Sequence, residues 1–125
     1  YFHNTFLNVP IDTLMHRIEQ SVRSGHPVCW EGDTSEDGFS FAEGVAKLDN
    51  DNQQPTQADR QRAFETYRTT DDHCMEIVGI AHDKAGNKYF CCKNSWGRNN
   101  RFGGFMYLSY NYVRLKTIAA YVVRT

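Results

Sequence analysis

His73 and Asn94 are the residues whose types and spacing suit chemistry. His73 opens the apolar segment His-Cys-Met-Glu-Ile-Val-Gly-Ile. Asn94 closes the next such segment 21 positions later, just before Ser95, Trp96 and Gly97. An imidazole can take the proton of a nucleophile, and a third group must hold that imidazole in the right tautomer. His73 supplies the base and Asn94 an orienting amide, a pair that fits a cysteine nucleophile. The nucleophile itself is missing from this pattern. Cys29-Trp30 is followed by the acidic, loop-like run Glu-Gly-Asp-Thr-Ser-Glu-Asp-Gly, which leaves Cys29 a minor alternative. Cys74 adjoins His73, so strand alternation points the two apart. Cys91 and Cys92 lie close to Asn94 on its own segment and read as core thiols.

Several elements must position this pair. Ile11, Leu14, Met15, Ile18 and Val22 form a helical stripe after Pro10, and Gly25 stops it. Pro27 to Trp30 reads as a short strand directly after that helix. Residues 31–58 carry seven acids between Glu31 and Asp51, with Lys47 the only Lys or Arg among those, and read as a long surface excursion outside the core. Ala58 to Arg68 reads as a short helix with Ala63, Phe64 and Tyr67 inward. From His73 to His82 the pattern is that of a strand, with Met75, Ile77, Gly79 and Ala81 on one face and Cys74, Glu76, Val78 and Ile80 on the other. Asp83 to Asn87 is a hairpin turn in which Gly86 and Asn87 suit positive φ. Lys88–Ser95, Gly103–Ser109 and Thr117–Val123 complete about five strands. The fold class is α+β: a mostly antiparallel, barrel-like sheet with a packed N-terminal helix.

The chain of 125 residues is sized for a single domain, residues 1–125. No apolar stretch suits a membrane span and the first residues do not resemble a signal peptide. Because the sequence starts at Tyr1, it reads as a piece of something longer. Charge is uneven: 15 acids and 6 Lys or Arg up to Asp83, then 8 Lys or Arg and no acid. This predicts a dipolar surface, and the scattered basic residues do not form the stripe that a nucleic acid needs. The four cysteines have no C-x-x-C spacing, and adjacent Cys91 and Cys92 cannot readily pair. Buried free thiols are expected, which weakly favours a reducing, cytoplasmic setting. A zinc site built from Cys74, Cys91 or Cys92 with a histidine is a minor alternative. Asp71 and Asp72 read as a solvated turn; alternatively Asp72 borders the site and favours a protonated His73.

His73-Cys74-Met75, Lys93-Asn94-Ser95-Trp96-Gly97 and Gly103-Gly104-Phe105 together resemble the second half of papain-like cysteine peptidases. Leu7-Asn8-Val9-Pro10-Ile11, Ser24 to Trp30 and Tyr121-Val122-Val123 are similar to the bleomycin hydrolase and aminopeptidase C branch. The resemblance covers nearly the whole chain. It implies that this chain is the C-terminal, sheet-containing half of such an enzyme, without the N-terminal half that carries the cysteine at a helix start. His73 would then be the general base in an ion pair with that thiolate. Asn94 would bond its ring, and Trp96 would shield that bond from water.

The same resemblance implies a peptide substrate, no metal or organic cofactor, and a hexameric homo-oligomer. It also implies aminopeptidase behaviour. Branch members cap the substrate N-terminus with a C-terminal arm, whereas this sequence stops at Val123-Arg124-Thr125 soon after its last strand. Some members bind DNA in a basic channel, which the acidic stretch does not support. The alternative reading is a catalytically inactive papain-like binding module.

Overall fold

The computed structural model describes residues 9–33, 38–48, 51, 53–66, 72–94 and 98–122. Their order is α1 (Ile11–Arg23), β1 (Val28–Asp33), β2 (Phe39–Ser40), β3 (Val45–Ala46), α2 (Gln57–Thr66), β4 (Asp72–His82), β5 (Lys88–Asn94), β6 (Phe105–Ser109), α3 (Tyr110–Lys116) and β7 (Thr117–Tyr121). The seven strands form one sheet in the order β2-β3-β6-β5-β4-β1-β7, open at β2 and β7. All pairings are antiparallel except β3 with β6. The class is α+β, as the residue pattern predicts.

The helix α1 forms because its apolar residues recur at helical spacing and one stripe meets the sheet. Ile11, Met15 and Ile18 are buried, with Leu14 and Val22 packed at the margin. Pro10 offers no side-chain cap, so the orphan N–H of Ile11 is accepted by Gln57 Oε1 at 2.6 Å, from the first residue of α2. Ser109 caps α3 by accepting from Tyr112 N at 3.0 Å and in turn donates to Asp51 at 2.6 Å. Met15 and Ile18 of α1 and Tyr112 and Val113 of α3 share one core with the inward strand residues. Those strand residues are Val28, Trp30, Ala46, Met75, Ile77, Phe90, Cys92, Met106 and Leu108. Burying a side chain of this size stabilises the fold by roughly 1.5–3 kcal/mol each.

Three features depart from the sequence reading. The acidic segment is no mere excursion. It supplies β2 and β3, buries Ala46 and Pro55, and packs Phe39, Phe41 and Leu48 on the core. Within it Glu43 is exposed while Asp51 accepts from Leu48 N and Ser109 Oγ, and the apolar residues seat on the core, a split that composition averages away. Second, α3 occupies the link between the last two strands, capped by Ser109. Third, the β4–β5 register shifts between Ile77 and Gly79, so Val78 has no partner. That bulge inverts the alternation. Ile80 now pairs with buried Phe90 and packs on the core, whereas Gly79 pairs with Cys91 on the opposite face.

In the hairpin turn Gly86 takes φ 89°, and among the described residues positive φ is confined to glycines, so Asn87 does not share it. The Asp83 carboxylate holds the turn instead, accepting from Ala85 N at 3.0 Å and from Asn87 N at 2.9 Å. Tyr67, Asp71, Ser95, Trp96, Gly97 and Val123 lie outside the described residues.

Candidate active site

β4 starts at Asp72, so His73 is its second residue, paired with Gly32 of β1. β5 ends at Asn94, which pairs with Met75. His73 lies two positions before Met75 on the same strand, so Asn94 occupies the diagonal cross-strand position relative to it. Diagonal neighbours on one face of an antiparallel pair stand about 7–8 Å apart, within reach of long side chains. Both positions share the alternation of Met75 and Ile77, the face that carries the core. The register therefore places His73 and Asn94 at one end of the β4–β5 pair. Asp72 pairs with Asp33, at the same end of β1. Trp96 lies outside the described residues.

The thiols divide by face. Cys29 pairs with Glu76 and Cys74 with Glu31, and both thiols are exposed on the sheet face away from the core. The expectation of four buried thiols thus fails for these two: each is in register with a residue of the exposed face. Cys91 is half-buried on that outer face beside Tyr107, and burial raises its thiol pKa while the Tyr107 hydrogen bond opposes this. Cys92 is fully buried, and burial holds its thiol pKa well above the ordinary value. Of the four, only Cys92 has the alternation of Asn94, and it is sealed in the core. Among the described residues, no group of three or more His, Cys, Asp or Glu side chains could hold a metal ion.

The residues facing His73 across β1 went unnoticed in the sequence. Trp30 is fully buried, and its Nε1–H donates to Thr117 Oγ1 at 2.6 Å. Thr117 Oγ1 in turn donates to the Val113 carbonyl of α3. A Cβ on Gly32 would collide with Cζ2 and Cη2 of Trp30 and stand 2.8 Å from the Lys116 carbonyl oxygen. The indole thus lies over Gly32, the register partner of His73. The Trp-x-Gly spacing is the signal available in sequence, since residues two apart on a strand share a face.

Comparisons with known proteins agree with this architecture. The chain is similar to PepW from Lactobacillus rhamnosis HN001 (DR20), with a TM-score of 0.68 at 20% identity. That match covers 93% of this chain and 27% of PepW, so the chain spans about a quarter of that protein's length. No curated protein matches. The model of the Peptidase C1-like family matches residues 2–123, taking in both strands that carry His73 and Asn94. By that match, the chain belongs to the Peptidase C1-like family.

Proposed function

We propose that this chain carries the base side of a cysteine peptidase site, with His73 as general base and Asn94 as its orienting amide. The observation that carries the reading is the β4–β5 register, which sets Asn94 diagonal to His73 on one face. Family membership supports the same chemistry. The exposed Cys29 and Cys74, the half-buried Cys91 on the same outer face and the sealed Cys92 support a nucleophile supplied by an N-terminal half outside this chain.

His73 takes the proton of that thiol, and the imidazolium stabilises the thiolate. Sulfur attacks the substrate carbonyl carbon, His73 returns the proton to the leaving amine, and a thioester remains. Water activated by the same imidazole then hydrolyses the thioester. Asn94, being neutral, holds the ring without adding a charge to the ion pair. Trp96 covers that bond, and Asp72 biases the ring towards its protonated form. Peptides are the substrate class. An aminopeptidase type is the finer reading, supported by the similarity of the 7–11 and 24–30 stretches to the bleomycin hydrolase branch, and so is a homo-oligomeric, hexameric assembly.

The test is peptide hydrolysis by the full-length protein carrying this chain. His73→Ala is expected to abolish turnover, and Asn94→Ala to lower kcat with a smaller effect on KM. The 125-residue chain alone is expected to be inactive. Full activity of His73→Ala, or turnover by the isolated chain, overturns the proposal. A full-length protein without a reactive thiol would instead leave an inactive binding module.

A further inference from the structure

Among the described residues, the β4–β5 pairing runs from His82↔Lys88 to Met75↔Asn94. At residue 73 its pairing in the described structure comes from β1 alone, through Gly32. In an antiparallel pair, the residue directly opposite normally supplies the nearest side chain, with Cβ atoms about 4.5–5.5 Å apart. Gly32 supplies none. The space over it is filled by the six-membered ring of Trp30, two positions back on the same strand.

That ring is fixed at its other end. Trp30 is fully buried, its Nε1–H is held by Thr117, and Thr117 donates to the carbonyl of Val113 within α3. The β1–β7 register also shifts at Glu31/Gly32, which brings Thr117 opposite Gly32. A bulge beside a site commonly re-aims a side chain. The glycine, the bulge and the hydroxyl anchor converge on one outcome: a flat, buried, hydrogen-bonded ring where the cross-strand neighbour of residue 73 belongs.

We propose that Trp30, laid over Gly32 and anchored by Thr117, is a positioning residue that sets the orientation of His73. This rests on the reading of His73 as the general base. The indole confines the imidazole on the β1 side while Asn94 holds it from the β5 side. Neither Trp30 nor Thr117 takes part in proton transfer.

The experiment uses the full-length protein with chromogenic peptide anilides. Thr117→Val removes one hydroxyl and keeps the shape; Trp30→Phe keeps an aromatic ring too short to cover Gly32. Misplacing a catalytic group by about 1 Å can cost about a hundredfold in rate. Each variant is therefore expected to lose about tenfold to a hundredfold in kcat, with KM nearly unchanged and the His73 limb of the pH profile displaced. Thr117→Ser is expected to restore both. Unchanged kcat and pH limbs in both variants overturn the proposal. A crystal structure of the full-length protein gives a check free of variants. Contact between the Trp30 and His73 rings within about 4.5 Å supports it, and another side chain lying between them overturns it. Failure of the underlying reading looks different: His73→Ala would then be fully active.

Discussion

Arg114 of α3 and Asp12 of α1 are hydrogen-bonded at 2.7 Å, although the first side chain is buried and the second is 83% exposed. The same guanidinium donates Nε–H to the Pro55 carbonyl at 2.6 Å, joining both helices to the acidic segment. The two bonds differ in worth. An exposed carboxylate is resolvated when its partner leaves, but a buried carbonyl that loses its donor is not.

Arg114→Met is accordingly expected to destabilise by about 1–3 kcal/mol, the range for an orphaned buried polar group. Asp12→Asn should cost well under 1 kcal/mol, as exposed pairs do. Arg114→Lys should not rescue, because an ammonium lacks the fork that reaches both acceptors. Urea midpoints of the three variants check this order, and equal losses for Arg114→Met and Asp12→Asn would contradict it.

The bulge at Val78 makes a second prediction. Val78 is 39% exposed, whereas Ile80 pairs with buried Phe90 and packs on the core. Val78→Asp should be nearly neutral. Ile80→Asp should destabilise by about 1–3 kcal/mol more, since it sets a charge against the core. A strand without the bulge would put both residues on one face and give similar costs, which thermal unfolding distinguishes.

This contrast shows how far the residues alone reach. Alternation placed β4 correctly and separated Met75 and Ile77 from Cys74 and Glu76. The one-residue register shift after Ile77 is set by pairing with β5, a non-local event, so Gly79 and Ile80 exchanged faces unseen. The helix α1 was legible because five apolar residues share one spacing. The seating of Ala46 was not, because a two-residue strand in an acidic run is chosen by its partner, β6. The placing of His73 and Asn94 near the same end of two paired strands was legible. The indole over Gly32 was not, since only tertiary contacts show a ring folded onto a glycine of its own strand.

The thiols give a third prediction. Cys29 and Cys74 are exposed, and Cys92 is buried with a strongly raised thiol pKa. Alkylation proceeds through the thiolate and needs access. Native iodoacetamide treatment at neutral pH should modify Cys29 and Cys74 and spare Cys92, with modification of Cys92 appearing only on denaturation. Peptide mass spectrometry reads the pattern. Modification of Cys92 as fast as Cys74 in the native state would mean that the core around Cys92 is open.

The Asp83 turn gives a fourth, with a sign fixed by linkage. Hydrogen bonds from Asn87 and Ala85 hold the Asp83 carboxyl below its ordinary value. A carboxyl depressed in the fold contributes stability that is fully present above the unfolded value of about 3.9 and is lost as pH falls through the lower folded value. Asp83→Asn should therefore weaken the hairpin at pH 7 and change little near pH 2. Amide hydrogen exchange in β4 and β5, compared at several pH values, tests it. An effect of Asp83→Asn that grows towards acid would show the opposite sign.

Asp72 pairs with Asp33 at the site end of β1 and β4, directly before His73. An anion near an imidazole favours its protonated form. In the proposed thiolate–imidazolium pair, activity is lost at high pH when the imidazolium gives up its proton. Asp72→Asn removes a charge that opposes this loss, so the alkaline limb of kcat/KM in the full-length protein should move to lower pH. Asp33→Asn should move it in the same direction if the paired position also lies within range. Added salt should shrink the displacement, because salt screens interactions between solvent-accessible charges over a Debye length of about 8 Å at physiological ionic strength. An unmoved limb after Asp72→Asn would remove Asp72 from the site and leave it as a strand end.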